Sequence, residues 1–271
     1  MHSITLLNGN GDTSIAVAQE MSGYPLAHFQ WDHSHVPDTR RTVYTDTNIR
    51  LAAQDTVRQR IGILIEAREF RPGNYLEAIG NKQLFDAIFT YDKGMLEMGK
   101  PFLFYPLGGN YIKTWGMFPK SKMVSIIVGQ KHGLPGWDLR FDAMKLIKAM
   151  DVFGFYELIN PKTPAIRPYR FSIIIEACYA NFYFGEKLID CLSQGTIPIY
   201  WGCPSIGKFF DERGFLIFHT INDLEIILSG LTDGLYNYML PYARQNLELA
   251  KPYRLPEDWL FENHPQLFGP L

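Results

Sequence analysis

Apolar, β-prone runs alternate with helical patterns along the whole chain, and this alternation constrains the fold more than any other feature. Short runs rich in branched aliphatic and aromatic residues predict strands that are buried on both faces, as in parallel sheets covered by helices. In the first half we predict strands at residues 4–7, 41–44, 61–65, 87–90 and 102–104, with helices at 13–21, 49–57 and 92–98. Such an alternation is typical of α/β layers.

The pattern restarts in the second half, with predicted strands at 122–128, 171–175, 197–201 and 215–218 and helices at 138–150, 186–194, 223–231 and 235–250. Asn222 is the expected N-cap of the helix at 223–231. Pro241 is expected to kink or restart the last helix. The proline-rich C-terminal tail is predicted to be irregular.

A Gly-rich, aromatic link at 108–117 separates the two α/β halves and indicates two Rossmann-like domains. We place them at residues 1–115 and 116–250, with a tail at 251–271 that packs back on the N-terminal domain. A composition of 46% hydrophobic and 20% charged residues fits two such cores. The net charge of −2 gives no electrostatic basis for binding nucleic acid. No apolar run is long enough to cross a bilayer, and the N-terminus lacks a signal pattern.

The segment 176–205 reads EACYANFYFGEKLIDCLSQGTIPIYWGCPS: an aromatic loop, Glu186-Lys187 at a helix start, a strand and a Gly-Cys-Pro turn. It resembles the donor-binding motif of the α1,3-fucosyltransferases, glycosyltransferase family 10. The resemblance is specific over about residues 120–220 and weak over the first hundred. Two positions depart from the family pattern, since Ala177 stands where the family has Asn and Gly185 where it often has Thr.

This resemblance implies a GT-B fold, in which two Rossmann-like domains face a donor and acceptor cleft. It implies an inverting transfer of L-fucose from GDP-fucose to a hydroxyl of a glycan acceptor. The partners would be this nucleotide sugar and the glycan, without nucleic acid. The expected protein is a short, soluble, cytoplasmic member of bacterial or viral type. No cofactor is expected and a divalent metal would at most stimulate, because the chain lacks the Asp-x-Asp metal bridge of GT-A enzymes.

The motif also implies donor-binding residues. Negative charge builds on the diphosphate as the sugar leaves, so cations and a helix N-terminus aimed there lower the barrier. Lys187 and, by a looser match, Arg140 are the expected cations, and Glu186 suits hydrogen bonds to sugar hydroxyls. The remaining candidates are Lys131 beside the diphosphate, Tyr183 near the sugar or the diphosphate, Phe155 (or Tyr156) near the base, and Glu176 in a donor-binding or structural role. The alternative for Glu186 is an acid that only favours the start of the helix. The alternative for Lys187, Arg140 and Lys131 is a solvated cation on the surface.

An inverting transfer needs a base for the acceptor hydroxyl. In the family this is a carboxylate that follows an N-domain strand, and Glu66 matches that position. Glu69 is the second candidate. The alternative is that both acids form local ion pairs with Arg68 and Arg71.

Other motifs are weaker. The segment 8–12 (NGNGD) lacks the third glycine of a dinucleotide fingerprint and is interpreted as a βα turn lining the acceptor side. The segment 32–35 (DHSH) is interpreted as a polar loop, not a metal site. The three cysteines are expected to be buried thiols, with a chemical role weighed only for Cys178.

Two other functions stay open. Because Ala177 lacks the family's amide, the donor could be another nucleotide sugar. A catalytically silent glycan-binding protein with the same fold is the alternative outside enzyme chemistry.

Overall fold

The structure is a computed structural model and describes residues 2–7, 17–33, 40–146, 148, 150–156 and 159–270. The chain divides into two compact units, Met1–Leu107 with Leu255–Leu271, and Gly108–Arg254. We call them unit 1 and unit 2. The first division lies eight residues before the predicted boundary at 115/116, and the second lies four residues after the predicted boundary at 250/251.

Within the described residues of unit 1, six parallel strands form one sheet in the order β2-β1-β3-β4-β5-β6. The strands are β1 (His2–Leu7), β2 (Phe29–Asp32), β3 (Arg41–Thr45), β4 (Gln59–Ile63), β5 (Ala87–Thr90) and β6 (Phe102–Phe104). All five residues of β3 are buried, as expected for a central strand covered on both faces. The strand β2 was not predicted, because its alternation of buried and exposed residues is too short to stand out.

The helices described in unit 1 before residue 108 are α1 (Val17–Ser22), α2 (Pro72–Gly80) and α3 (Lys93–Glu97), with 3₁₀ helices at Asp46–Ala53 and Lys82–Leu84. The α-helix predicted at 49–57 is wrong, since a 3₁₀ helix begins earlier, at Asp46. The Asp92 side chain accepts from the Met95 N–H and caps α3. Helix α2 was missed because it begins with Pro72-Gly73, residues typical of a turn.

The five strands described in unit 2 are also parallel, in the order β11-β10-β9-β7-β8. They are β7 (Lys122–Ile127), β8 (Asp151–Phe153), β9 (Tyr169–Ile175), β10 (Ile197–Trp201) and β11 (Leu216–Ile217). Neighbouring residues of β9 point to opposite faces, so Ile173 and Ile174 belong to two separate hydrophobic clusters. Both faces of this sheet are therefore covered.

The helices of unit 2 are α4 (Pro135–Met144), α5 (Thr163–Ile166), α6 (Glu186–Ser193), α7 (Ile221–Ser229) and α8 (Asp233–Ala250), and short 3₁₀ helices lie at Ile206–Lys208, Glu212–Gly214 and Lys251–Tyr253. Leu188 of α6 packs with Ile174 on one face, and Met239 of α8 packs with Ile173 on the other.

Three helix predictions in unit 2 need correction. Helix α4 begins at Pro135, not at residue 138, because proline is well suited to the first helical turn. The N-cap of α7 is Thr220, not Asn222, since Thr220 forms a capping box with Asp223. Helix α8 continues through Pro241, so the predicted restart is wrong, and the predicted kink stays a prediction. Pro241 lies on the exposed face, where water can satisfy the carbonyl one turn earlier.

The C-terminal segment forms α9 (Pro256–Asn263) and α10 (Pro265–Phe268), so the irregular tail predicted from its prolines is wrong. Two of those prolines occupy the first position of a helix, where their missing N–H is not needed. The segment packs within unit 1: Trp31 Nε1 donates to Glu257 Oε1 at 2.8 Å, and Arg41 donates to the Gly269 carbonyl at 2.6 Å. Among the described residues, no helix combines the length and apolar character needed to cross a membrane.

Candidate functional site

The candidate site lies in unit 2, where β7, β9 and β10 end at the same edge of the parallel sheet. In such sheets ligands bind beyond the carboxyl ends of the strands. Strand β9 ends at Ile175, and the aromatic loop that follows runs to Gly185, the N-cap of α6. Gly185 has no side chain to cap the helix. The Glu186 N–H donates to the Glu186 carboxylate, and the other first-turn N–H groups of α6 can be satisfied by a ligand.

Glu186 and Lys187 stand at the first turn of α6. Lys187 Nζ lies 2.7 Å from Glu186 Oε1, and Lys162 Nζ lies 3.4 Å from the same oxygen. Burial alone raises the pKa of Glu186, but the two ammonium groups outweigh it and hold the pKa well below its usual range. Burial lowers the pKa of Lys187, and Glu186 opposes this. Glu186 is therefore an ionised acceptor with cations on two sides.

Lys162 and Asp190 complete this network and were missed by the sequence reasoning. Asp190 is fully buried, and its Oδ2 lies 2.9 Å from Lys162 Nζ. Burial raises the pKa of Asp190, and Lys162 opposes this. The available signal was an acid on the buried face of α6, between Ile189 and Cys191. Lys162 gave no signal, since it lies among prolines in what reads as a surface loop.

Arg140 projects from α4 and is 7% exposed. Its Nε donates to the Ile175 carbonyl at 3.0 Å, and one of its Nη atoms donates to the same oxygen. Burial lowers the pKa of this guanidinium, and the carboxylates of Glu176 and Glu186 oppose the shift. Arg140 is thus held at the end of β9 as a buried cation, not as a surface charge.

Helix α4 approaches this edge closely because its second residue is glycine. The Gly136 N–H donates to the Ala177 carbonyl at 3.1 Å, and a Cβ at Gly136 would lie 1.8 Å from the Glu176 carbonyl oxygen. Only glycine permits this contact, which brings Arg140 to the strand end.

Glu176 is 3% exposed, and its Oε1 accepts from the Gly185 N–H at 3.2 Å and from the Tyr200 hydroxyl at 3.5 Å. Burial raises the pKa of Glu176 to about 7, and the Lys187 charge opposes the rise. The carboxyl group therefore ties the N-cap of α6 to the ends of β9 and β10. This contact favours the structural alternative for Glu176.

Arg140, Lys162, Lys187 and Asp190 are among the residues that line one small cavity of about 30 Å³, whose other walls are mostly isoleucine residues. These three cations face the carboxylates of Glu186 and Asp190, which leaves an excess of positive charge beside a helix N-terminus, and such an excess is suited to binding an anion. The structure therefore brings together four of the sequence-predicted residues of unit 2, namely Arg140, Glu176, Glu186 and Lys187.

The other predicted residues of unit 2 lie in loops after the same strands. Tyr183 is half-buried in the loop between Glu176 and α6. Lys131 is exposed, with its Nζ 5.4 Å from the centre of the Trp137 ring. Phe155 follows β8, packs edge-on against Phe141 at 5.8 Å, and lines a cavity of about 550 Å³. The donor-binding roles of all these residues stay predictions.

Glu66, the predicted base, lies in unit 1 just beyond the end of β4. Its N–H donates to Asp46 Oδ1 at 3.2 Å, and its carbonyl accepts from the Tyr75 hydroxyl at 2.8 Å. Arg68, the suggested ion-pair partner of Glu66 and Glu69, pairs with Asp92 at 2.8 Å. The backbone of Glu66 is thus held from two sides at the carboxyl edge of the sheet.

Two of the weaker motifs fall wholly or partly outside the residues that the structure describes. The segment 8–12 and residues 34–35 lie outside the described residues. Within the described ranges, no group of three or more His, Cys, Asp or Glu side chains is placed to hold a metal ion. All three cysteines are buried, as predicted.

Comparison with known proteins gives one sequence match. No family model matches the chain. Over 67 residues the chain is 33% identical to the protein named alpha-(1,3)-fucosyltransferase FucT of Helicobacter pylori. That match covers 25% of this chain and 14% of the relative, so the chain shares only a small part of the relative's length.

Solved structures give a broader match. A crystal structure of an α1,3-fucosyltransferase superposes with a TM-score of 0.57 at 17% identity, covering 93% of this chain and 89% of that one. Structures described as α1,3-fucosyltransferase with GDP and with GDP-fucose give TM-scores of 0.53 and 0.52 at 15% and 16% identity, with the same coverage. This likeness confirms the predicted α/β fold of GT-B type, with two Rossmann-like units.

Proposed function

We propose that this chain is an inverting glycosyltransferase that transfers L-fucose from GDP-fucose to a hydroxyl of a glycan acceptor. The observation that carries the proposal is the group of cations beside the N-terminus of α6, at the carboxyl edge of the unit 2 sheet. The likeness to α1,3-fucosyltransferases, including those solved with GDP and GDP-fucose, supports this donor.

In this proposal unit 2 binds the nucleotide sugar. Lys187 and Arg140 neutralise the charge that develops on the diphosphate, and the first-turn N–H groups of α6 contribute as fixed dipoles. Glu186, kept ionised by its lysine neighbours, accepts hydrogen bonds from hydroxyl groups of the donor. Tyr183 lies beside the sugar, Phe155 packs against the base, and Lys131 assists at the diphosphate.

Unit 1 supplies the base. The Glu66 carboxylate removes the proton of the acceptor hydroxyl as its oxygen attacks the anomeric carbon and the bond to GDP breaks. The backbone hydrogen bonds to Asp46 and Tyr75 fix the position from which the side chain acts.

Binding of the nucleotide is tested by calorimetric titration with GDP, UDP and GDP-fucose. Lys187→Met is expected to weaken GDP binding about tenfold or more, because a charge-assisted hydrogen bond to phosphate is lost. Lys145→Met is the matched control, since Lys145 is an exposed lysine of unit 2 that pairs with Asp142. Arg140→Lys keeps the charge but loses the planar fork and should weaken binding less. Equal GDP affinity in wild type and K187M would refute the assignment of Lys187.

The same titration decides between donors. Tighter binding of UDP than of GDP would refute the fucose donor and favour the alternative of another nucleotide sugar, which the loss of the amide at Ala177 suggests.

Catalysis is tested by Glu66→Gln, with transfer and donor hydrolysis measured over a panel of acceptors. Loss of a general base lowers turnover by about 10²–10⁴-fold, while GDP affinity should stay unchanged. Glu69→Gln is the matched control, and a larger loss in E69Q would move the role to Glu69. Absence of transfer and hydrolysis in the wild-type protein with every donor would favour the silent glycan-binding alternative.

A further inference from the structure

One oxygen of Glu186 has two ammonium neighbours that differ in how firmly they are held. Lys187 is the nearer, at 2.7 Å, and its side chain is 32% exposed. Lys162 lies at 3.4 Å and is 15% exposed. Lys187 is therefore the outer cation, with more room to move toward a ligand.

Lys162 has a second carboxylate partner, Asp190. Asp190 Oδ2 lies 2.9 Å from Lys162 Nζ, and the other oxygen of Asp190 accepts from Asn110 Nδ2 and from the Tyr111 N–H, both at 2.7 Å. The Lys162 ammonium also lies 4.3 Å from the centre of the Tyr111 ring. These contacts fix Lys162 between two carboxylates inside unit 2.

A lysine that binds the donor's diphosphate must share or leave its present partner. The Glu186 side chain is 24% exposed. A carboxylate that is largely shielded from water is unfavourable without a counter-ion, because the protein interior does not solvate the charge as water does. When Lys187 moves away from Glu186, only a cation that stays in place can keep Glu186 ionised.

We propose that Lys162 is the standing counter-ion of Glu186, which allows Lys187 to move from Glu186 to the diphosphate of the donor. Lys162 is then a positioning residue for donor binding and does not itself need to touch the donor. This inference rests on the proposed function, because it assigns the diphosphate to Lys187.

The charges around Glu186 agree with this division of roles. Three cations face Glu186: Lys187 on the same helix, Lys162 from the loop before α5, and Arg140 from α4. Two acids lie near it: Glu176 at the end of β9, and Asp190 one turn along α6. Burial lowers the pKa of Lys162, but Asp190 and Glu186 outweigh it and raise the pKa above its usual value. Lys162 therefore stays charged at both pH values of the test below, pH 5.5 and pH 8.

The test uses the double variant Lys162→Met with Asp190→Asn. It removes the ammonium group of Lys162 and replaces the buried carboxylate of Asp190 by an uncharged amide. Without Lys162, a Lys187 that moves to GDP leaves Glu186 facing Arg140 alone, which favours uptake of a proton by Glu186. The Kd for GDP, relative to wild type, should rise about tenfold at pH 8, where the proton is scarce, and clearly less at pH 5.5. Titrations in two buffers of different ionisation enthalpy should detect extra protons bound with GDP in the variant. Lys162→Arg keeps the charge and should restore wild-type affinity and pH dependence.

Several outcomes overturn the inference. If the Kd ratio between variant and wild type is the same at both pH values, with no extra proton uptake, Lys162 is structural and the proposed function stands. If wild-type protein does not bind GDP, the proposed function fails and the inference fails with it. If the double variant does not fold, Lys162→Gln alone is measured in the same way, and a pH-independent Kd ratio there has the same meaning.

Discussion

The buried carboxyl group of Glu176 makes the stability of unit 2 depend on pH in a way that can be measured. Its Oε1 contacts the Gly185 N–H and the Tyr200 hydroxyl, and a Cβ at Gly202 would lie 2.4 Å from its Cγ, so the backbone closes over the side chain. Lys187, Glu186 and Arg140 are the charged groups that face it. Replacement of Glu176 by Gln keeps the shape of the side chain and removes its ionisation.

The magnitude follows from the difference between the folded and unfolded states. Burial raises the pKa of Glu176 from 4.5 to about 7 in the folded protein. The folded state therefore binds this proton more tightly than the unfolded state. The stabilisation is complete below about pH 4.5 and is lost as pH rises toward 7, a total change of about 3 kcal/mol in the free energy of unfolding.

The assay is urea unfolding of wild type and E176Q at pH 5 and pH 8.5, followed by tryptophan fluorescence, since Trp137 and Trp201 are buried in unit 2. From pH 5 to pH 8.5, the free energy of unfolding of E176Q should rise by about 2–3 kcal/mol relative to that of wild type, because only the wild-type side chain becomes charged. Glu225→Gln, at an exposed position of α7, is the matched control and should follow wild type. A stability difference between E176Q and wild type that is equal at both pH values would refute the reasoning.

Three further substitutions test the packing of unit 2 by thermal and urea unfolding. Gly136→Ala should destabilise the protein by several kcal/mol, since its Cβ would lie 1.8 Å from a backbone oxygen. Gly129→Ala is the control and should cost about 1 kcal/mol or less, because no atom lies within 4 Å of the added Cβ. Equal losses of stability in the two variants would contradict this prediction. Thr220→Ala removes the capping box with Asp223 and should cost about 1 kcal/mol, and no loss would argue against the cap. Asn246→Ala breaks two hydrogen bonds to a backbone segment, at 2.8 and 2.9 Å, and should cost about 2–3 kcal/mol; a loss below about 0.5 kcal/mol would show that water replaces them.

The local pattern of apolar residues was sufficient to predict most of the strands. The strands at Ala87–Thr90, Phe102–Phe104 and Ile197–Trp201 have the predicted bounds, because apolar β-branched and aromatic runs between polar turns are recognisable without any partner. Helix ends were less predictable, because prolines that look like breakers stand at first helical positions, as at Pro135 and Pro256.

The sequence by itself determined the α/β class and the pair Glu186-Lys187, because alternation of strands and helices and adjacency along the chain are local properties. Only the tertiary structure showed that Lys162 and Asp190 join that pair, since the loop before α5 meets the buried face of α6 only when the sheet has formed. The burial of Glu176 likewise depends on chain segments far apart in sequence, which close over it at Gly136 and Gly202. Desolvation and charge pairing act through space, so the ionisation of these groups is decided by the fold and not by their neighbours along the chain.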